Sequence, residues 1–183
     1  MPISTPSQEV ILVNKRDEPT GSMEKLAAHQ HGLLHRAFSI FIFNDNGELL
    51  LQQRAIDKYH SGGLWTNTCC SHPQPGEETI VAAQRRLKEE MGFTTSIKKV
   101  FDFVYKAEFG NGLIEHEFDH VFAGNYNGEI EYNKDEVMDC CYRSLPDIHK
   151  DLQQQPDKFS QWFILAFPKI EEWWDKKNKT LKE

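Results

Sequence analysis

Residues 71–93 read SHPQPGEETIVAAQRRLKEEMGF, and this segment contains the clearest helix signal in the chain. Its second half predicts a helix over 79–91, because apolar residues recur there at spacings of three and four and form one buried stripe. The residues of that stripe are Ile80, Ala83, Leu87 and Met91. Gly92 stands where a helix C-cap is expected, so the sequence also marks the end of the helix.

Arg86 and Glu90 lie four residues apart on this helix, on a face away from the apolar stripe. An exposed ion pair at this spacing stabilises a helix by about 0.2–0.5 kcal/mol. Alternatively, Glu90 binds a hard cation such as Mg²⁺, which would bridge to phosphate oxygens. The helix by itself is compatible with both interpretations.

Strands and helices interleave on both sides of this helix. Upstream, the patterns predict a strand over 9–13, a turn-rich stretch over 14–22, a short helix over 23–29, and strands over 37–43 and 49–53 joined by an Asn-Asp-Asn-Gly hairpin signal. Downstream, they predict strands over 100–106, 113–123, 129–132 and 137–142, a helix opened by Pro146, and a helix over 161–175 capped by Ser160. Hairpins rather than strict βαβ repeats indicate an α/β fold of the α+β type, with a mixed sheet covered by helices.

Length and composition favour one globular domain over 1–183, with polar termini, 1–8 and 176–183, that we expect to be poorly ordered. A formal net charge of −7 argues against nucleic-acid binding, although a local basic pocket could still hold a small anion. No apolar run is long enough to span a membrane, and the N-terminus does not resemble a signal peptide. The four cysteines form the pairs 69–70 and 140–141, and reduced thiols in a cytoplasmic protein are the favoured interpretation.

The run Thr-Asn-Thr-Cys-Cys-Ser-His-Pro at 66–73 places a thiol two residues from an imidazole. Cys69 is expected to pack in the core, and Cys70 could equally be a small buried residue. The functional interpretation of Cys70 is that His72 and a nearby divalent ion perturb the acidity of its thiol.

The run Glu-His-Glu at 115–117 puts Glu115 and Glu117 on one face of a strand. The pair is either a solvated strand face or a buried pair that needs a cation or a shared proton. His29, His35 and His72 are each more often structural than metal-binding when taken singly. If they converged with the two glutamates, they would supply a ligand set suited to Zn²⁺ or Mn²⁺.

Taken together, these motifs resemble a known family. Segment 71–93 resembles a degenerate Nudix box that keeps Glu77, Arg85, Glu89, Glu90 and Gly92 in register. It departs from the box where Ser71 replaces a glycine and where Arg86 replaces a glutamate. The runs GLLHRAFS (32–39), WTNTCCSHP (65–73) and EHE (115–117) look like type 1 isopentenyl-diphosphate isomerases, and the likeness extends from about residue 10 to residue 174.

The resemblance implies a Nudix-like mixed β-sheet sandwiched by helices. It also implies an isomerase of isoprenoid biosynthesis that interconverts isopentenyl and dimethylallyl diphosphate through a tertiary carbocation. Cys70, Glu117, Tyr105 and Trp162 match the catalytic positions, and Arg54, Lys58 and Arg86 match basic contacts to the diphosphate. His29, His35, His72, Glu115 and Glu117 match the ligands of one Mn²⁺, Zn²⁺ or Mg²⁺, and Glu90 matches the ligand of a diphosphate-bridging Mg²⁺.

Other functions remain open at this point. A Nudix-type diphosphohydrolase is the main alternative, but it would lack the box glutamate that Arg86 replaces. A zinc-dependent deaminase would need H-x-E and P-C-x-x-C motifs, which are absent. A non-catalytic Nudix-like module would not need the thiol, the histidines and the acid pair. The expected partner is a small isoprenoid diphosphate, with no nucleic acid or membrane partner and with a monomer favoured.

Overall fold

The structure, a computed structural model, describes residues 8–58 and 60–180. The strands of this part of the chain are β1 (Glu9–Val13), β2 (Pro19–Glu24), β3 (His35–Phe43), β4 (Leu49–Arg54), β5 (Trp65–Thr66), β6 (Cys69–Ser71), β7 (Ile97–Glu108), β8 (Ile114–Asn125) and β9 (Val137–Arg143). The helices are α1 (Lys25–His31), α2 (Thr79–Met91), α3 (Leu145–Gln154) and α4 (Gln161–Thr180), with a 3-10 turn at Pro156–Lys158. No helix among these residues is long and apolar enough to cross a membrane.

Strand β3 organises the mixed sheet. It runs parallel to β8 along its whole length, from His35 opposite Glu117 to Phe43 opposite Asn125. It also pairs antiparallel with β6, where Ser39 lies opposite Cys70. The same strand therefore connects the two segments that carry the predicted histidine, cysteine and glutamate motifs.

Alternate residues of β3 pack against opposite faces of the sheet, as expected for a strand buried on both sides. On one face lies a core shared with α4, which includes Phe41, Phe43, Phe163 and Phe167. On the other lies a core shared with α2, which includes Phe38, Ile40, Leu87 and Met91. Each such side chain contributes about 1.5–3 kcal/mol on burial, and the predicted sheet sandwiched by helices is confirmed.

Helix α2 has the predicted boundaries, and Gly92 ends it in the left-handed conformation at φ 79°. A Cβ at Gly92 would collide with the carbonyl of Glu131, so glycine is also required by the close approach of that segment. The predicted apolar stripe is only partly correct, because Ile80 is 37% exposed whereas Glu90 is buried. The helix is turned so that Glu90 faces a cleft rather than solvent.

Three predicted elements differ from the structure. The turn-rich stretch contains β2, which pairs with the apolar strand β1 from Glu9 opposite Glu24 to Val13 opposite Pro19, so tertiary pairing overrides weak strand propensity. The short helix α1 consequently starts later, at Lys25. No strand is described over 129–132, where the chain instead follows the end of α2 and Asn133 N–H donates to the carbonyl of Glu90 at 2.8 Å.

Strand pairing and the C-terminal helix also differ from the predictions. Strands β3 and β4 share only the pair Phe43 and Leu49 at the hairpin, and β4 pairs mainly with β9. Helix α4 continues to Thr180 rather than ending at 175. Gln8 and residues 176–180 thus belong to the described chain, while the rest of the termini expected to be poorly ordered, 1–7 and 181–183, lie outside it.

Candidate active site

Three histidines and one glutamate converge at one end of β3. The ligand atoms of His29, His35, His72 and Glu117 lie within 4.8 Å of one another, and all four residues are buried. Gly32 makes this possible, because it ends α1 in the left-handed conformation at φ 61° and turns the chain from His29 back to His35. The parallel register of β3 and β8 then places His35 beside Glu117.

The hydrogen bonds of this histidine cluster direct ring nitrogens towards the carboxylate. His72 Nε2 lies 2.8 Å and His35 Nε2 3.5 Å from Glu117 Oε1. His35 Nδ1 lies 2.8 Å from the carbonyl of Leu33 and donates to it. His29 Nε2 lies 3.2 Å from His35 Nε2.

The chemistry of the cluster fits a divalent metal ion. Burial, reinforced by His72, lowers the pKa of His29 to about 3. Burial likewise lowers the pKa of His72 to about 4, although Glu117 opposes that shift. Neutral imidazoles with a converging carboxylate are ligands that Zn²⁺ and Mn²⁺ accept. His72 Nδ1 is buried and has no hydrogen-bond partner among the described residues.

Glu115 and Glu117 face each other across the hydroxyl group of Tyr105. Tyr105 Oη lies 2.5 Å from Glu117 Oε2 and 3.1 Å from Glu115 Oε2. Burial would raise the pKa of Glu117, but hydrogen bonds from His35 and His72 hold it well below its usual range. Burial and the charge of Glu117 raise the pKa of Glu115. The surroundings thus favour the charged form of Glu117 over that of Glu115.

Cys70 faces the acid pair from β6. One small cavity of about 40 Å³ is lined by Cys70, by both acids, Glu115 and Glu117, and by His72, Tyr105 and Trp162. Burial raises the pKa of the Cys70 thiol far above its ordinary value, although the charge of Arg54 opposes the shift. A thiol that stays protonated is a proton donor rather than a free thiolate. Cys69 packs in the core on the α2 side, as predicted.

A wider, cationic cleft of about 1060 Å³ opens from this small cavity. Its wall has a small excess of basic side chains, with Lys25, Arg54, Lys58, Arg85 and Arg86 beside Glu9, Glu89, Glu90 and Glu136. The Nε atoms of Arg54 and Arg86 are buried without a hydrogen-bond partner among the described residues. The cleft and the small cavity share Arg54 and Cys70 in their walls, so a molecule could extend from one into the other.

Glu90 is held in the cleft by neighbouring side chains. Arg86 Nη2 donates to Glu90 Oε1 at 2.6 Å. Gln52 Nε2 donates to Glu90 Oε2 at 3.0 Å and to the carbonyl of Thr68 at 2.8 Å. Glu90 is thus a buried carboxylate with a fixed direction, rather than the exposed helix pair that was the alternative.

The remaining box residues fasten the turn before α2 to the helix. Arg85 Nε and Nη2 donate to the two carboxylate oxygens of Glu77 at 2.8 and 2.9 Å. Arg85 Nη1 lies 3.3 Å from both oxygens of Glu89. Glu77 Oε2 also accepts the backbone N–H of Gln74 at 2.9 Å. These bonds set the position from which α2 presents Arg86 to the cleft.

The structure separates the predicted site residues into three groups. Cys70, Tyr105, Glu117 and Trp162 line the small cavity, and the ring of Trp162 packs 5.1 Å from the guanidinium carbon of Arg54. The basic residues line the cleft, where Lys58 also pairs with Glu136. Of the six predicted metal ligands, four form the cluster. Glu90 lies in the cleft, and Glu115 lies outside the cluster, against Tyr105 and His60.

Two residues of the site escaped the sequence analysis. Lys25 lines both the cleft and the small cavity, and burial lowers its pKa although the charge of Glu117 opposes the shift. Its spacing of four from His29 was a usable signal, because residues four apart share a helix face. His60 lines the small cavity from a loop, where no periodicity could have predicted its direction.

Comparisons with known proteins show the family to which this chain belongs. A family model described as the NUDIX domain matches residues 33–163. Isopentenyl-diphosphate Delta-isomerase 2 of Aromatoleum aromaticum is 51% identical over 162 residues, which cover 88% of this chain and 86% of that protein. Isopentenyl-diphosphate Delta-isomerase of Pectobacterium atrosepticum is 50% identical over 169 residues, which cover 92% of this chain and 94% of that protein.

A solved structure from Deinococcus radiodurans has a similar fold. It superposes with a TM-score of 0.75 at 16% identity and covers 88% of this chain and 98% of its own. At that identity the likeness concerns the fold alone, whereas the two relatives share about half of their residues with this chain along most of its length. The chain therefore belongs to the isopentenyl-diphosphate Delta-isomerase family of NUDIX-domain proteins.

Proposed function

We propose that this enzyme interconverts isopentenyl diphosphate and dimethylallyl diphosphate in isoprenoid biosynthesis. The observation that carries the proposal is the pairing of a small cavity, lined by a thiol and a carboxylate, with an adjoining cationic cleft. The names and the identity of the relatives support the same reaction.

The cleft suits the diphosphate group of the substrate. Arg54, Lys58 and Arg86, with Lys25 and Arg85, give the cleft five basic side chains against four carboxylates. This local excess of positive charge favours an anion although the net charge of the chain is −7. Lys25 lies where the cleft meets the small cavity. Glu90 would hold Mg²⁺ there, and the ion would supply positive charge that neutralises the diphosphate when bound.

The small cavity suits the alkene. One proton is added to the terminal carbon, which gives a tertiary carbocation, and a different proton then leaves a neighbouring carbon, so that atoms and charge balance. Cys70 and Glu117 carry the two transfers, in either order, because one lies on β6 and the other on β8 with the cavity between them. The hydroxyl of Tyr105 orients the carboxylate of Glu117.

Trp162 would stabilise the cation. Its ring is buried in the wall of the small cavity, and a desolvated cation–π contact contributes about 2 kcal/mol, or roughly thirtyfold in rate. The histidine cluster would hold Mn²⁺, Zn²⁺ or Mg²⁺, with His29, His35, His72 and Glu117 as ligands and Glu115 beside them. When bound, that ion would supply positive charge that sets the acidity of Glu117.

The diphosphohydrolase alternative is less well supported. Hydrolysis would require carboxylates that assemble Mg²⁺ and an activated water, whereas here Arg86 takes one carboxylate position and pairs with Glu90 at 2.6 Å. An arginine can grip the diphosphate without activating water against it. A hydrolase would also have no use for a protonated thiol beside the acid pair.

Product analysis in deuterated water tests the proposal. The pure protein is incubated with isopentenyl diphosphate and Mg²⁺, and products are identified by NMR and mass spectrometry. We expect deuterium-labelled dimethylallyl diphosphate without release of phosphate. Release of phosphate or diphosphate without double-bond migration would instead identify a hydrolase, and the recovery of unlabelled substrate alone would refute the isomerase.

Cytoplasmic location and a monomeric state stay predictions. The four cysteines, 69, 70, 140 and 141, are free thiols in the structure, which supports a reducing compartment.

A further inference from the structure

His60 reaches into the small cavity from the loop between β4 and β5. Its Nε2 lies 3.3 Å from Glu115 Oε1, and both side chains are buried. Its ring stacks on Phe109 at 4.9 Å between centroids and meets the ring of Trp162 edge-on at 5.8 Å. His60 thus joins the β4–β5 loop, the β7–β8 turn and α4 directly over the acid pair.

The loop holds His60 in this place by its backbone. Ser61 has a positive φ of 54°, which costs a non-glycine residue of the order of 1–3 kcal/mol and persists only where the surroundings enforce it. A Cβ on Gly62 would collide with the carbonyl of Ile56. Arg54 Nη2 lies 3.4 Å from the carbonyl of His60. The side chain of His60 is therefore aimed by a strained, tightly packed turn.

The surroundings of the His60 ring indicate which of its two nitrogens carries the hydrogen. Ser61 Oγ lies 3.3 Å from His60 Nδ1 and can donate to it. A neutral imidazole that accepts at Nδ1 carries its hydrogen on Nε2, which faces Glu115. Burial lowers the pKa of His60 to about 3, in agreement with a neutral ring.

We propose that His60 is a positioning residue that fixes the carboxylate of Glu115 through the 3.3 Å polar contact between Nε2 and Oε1. With Oε1 held by His60 and Oε2 beside Tyr105 Oη, Glu115 has one preferred orientation at the edge of the histidine cluster. Without the imidazole, the carboxylate keeps, among its polar contacts with the described residues, the one to Tyr105 and can rotate. The histidine cluster then has no pre-oriented acidic group at its edge when it binds a divalent metal ion.

The inference rests on the metal-binding part of the proposed function, but its test does not require catalysis. His60→Gln and His60→Met form a matched pair, because they have similar length and volume but only glutamine keeps an N–H donor. His60→Phe keeps the aromatic contacts to Phe109 and Trp162 and lacks the donor. His149→Met is the control, since His149 is exposed on α3 and pairs with Glu171 at 3.2 Å.

Metal affinity of the stripped protein is the measurement. Each full-length variant is titrated with Mn²⁺ and with Zn²⁺ in competition with a chromogenic chelator, without substrate, and its melting temperature verifies folding. Loss of a group that orients a ligand typically weakens metal affinity by about 10–100-fold. We expect His60→Met and His60→Phe to bind at least about tenfold more weakly than wild type, His60→Gln to bind more tightly than His60→Met, and His149→Met to match wild type.

Other outcomes overturn the inference. An unchanged or tighter affinity in His60→Met, equal affinities in the Gln and Met variants, or no saturable metal binding by the wild type would each do so. If His60→Phe does not fold, the Gln and Met pair still decides. A wild-type protein that fails to isomerise isopentenyl diphosphate would remove the proposed reaction, whereas the affinities would still decide the role of His60.

Discussion

Replacement of Tyr105 by phenylalanine separates proton transfer from substrate binding. The hydroxyl of Tyr105 lies 2.5 Å from Glu117 Oε2, in a buried site where hydrogen bonds hold the pKa of Glu117 below its usual range. A hydrogen bond to a charged group contributes about 1.5–3 kcal/mol, which corresponds to a loss of roughly tenfold to 150-fold in rate. We expect this loss in kcat, because in the proposed mechanism the carboxylate that Tyr105 orients acts on the alkene.

The KM for isopentenyl diphosphate should change little, since Tyr105 does not line the cationic cleft. The ring itself stays in place in the variant, because it packs on Phe103 at 5.6 Å between centroids. Steady-state kinetics with saturating Mg²⁺ give kcat and KM separately. A kcat equal to that of the wild type, or a rise in KM that accounts for the whole loss, would refute the reasoning.

Tyr142→Phe is the matched control. Tyr142 Oη donates to the carbonyl of Tyr126 at 2.7 Å, on the sheet face covered by α2. Loss of this neutral hydrogen bond should lower the free energy of unfolding by about 0.5–1.5 kcal/mol and leave kcat unchanged. A fall in kcat for both variants would indicate a general loss of structure rather than an effect on Glu117.

The other predictions concern the thiol, the cleft and the core. Cys70→Ala should lower kcat by at least about 10²-fold with the fold intact by circular dichroism, and wild-type turnover would remove Cys70 from the mechanism. Because burial raises the pKa of Cys70, the thiol stays protonated as the pH rises through about 8.5, the ordinary value for cysteine. A loss of activity with a midpoint at about pH 8.5 that depends on Cys70 would contradict this expectation. Arg86→Glu should raise KM by about tenfold or more through loss of charge-assisted contacts to the diphosphate and repulsion from Glu90, measured beside a phosphate-release assay. Leu87→Ala, fully buried under α2, should lower the free energy of unfolding by about 2–5 kcal/mol in urea denaturation, and a smaller loss would mean that the core collapses around the gap.

Local patterns in the sequence account for most of the elements. The periodicity of α2 predicts both of its ends, since the apolar spacing and Gly92 act within a few residues. Strand β1 also has both of its predicted bounds, because its apolar run is a local signal. Strand β2 could not be predicted in this way, because its pairing with β1 and not its polar composition makes it a strand.

The residues of the candidate site also include some that local sequence patterns predict and some that they do not. The motifs around Cys70, His72 and Glu117 were visible, because each is a short run with an unusual set of residue types. His60 was not visible, because its direction depends on a strained turn at Ser61 and on rings contributed by distant elements. The place of Glu115, against His60 rather than within the histidine cluster, likewise depends on packing across the sheet.

The chain read without its fold already shows the boundaries of α2, the sulfur, nitrogen and oxygen ligands, and the replacement of a box glutamate by Arg86. That these groups meet follows only from the way the sheet is assembled. His35 and Glu117 are neighbours because β3 and β8 pair in parallel register, a contact between segments far apart in the chain. The physical reason is that periodicity and capping act over a few residues, whereas register is selected by burial of both sheet faces at once.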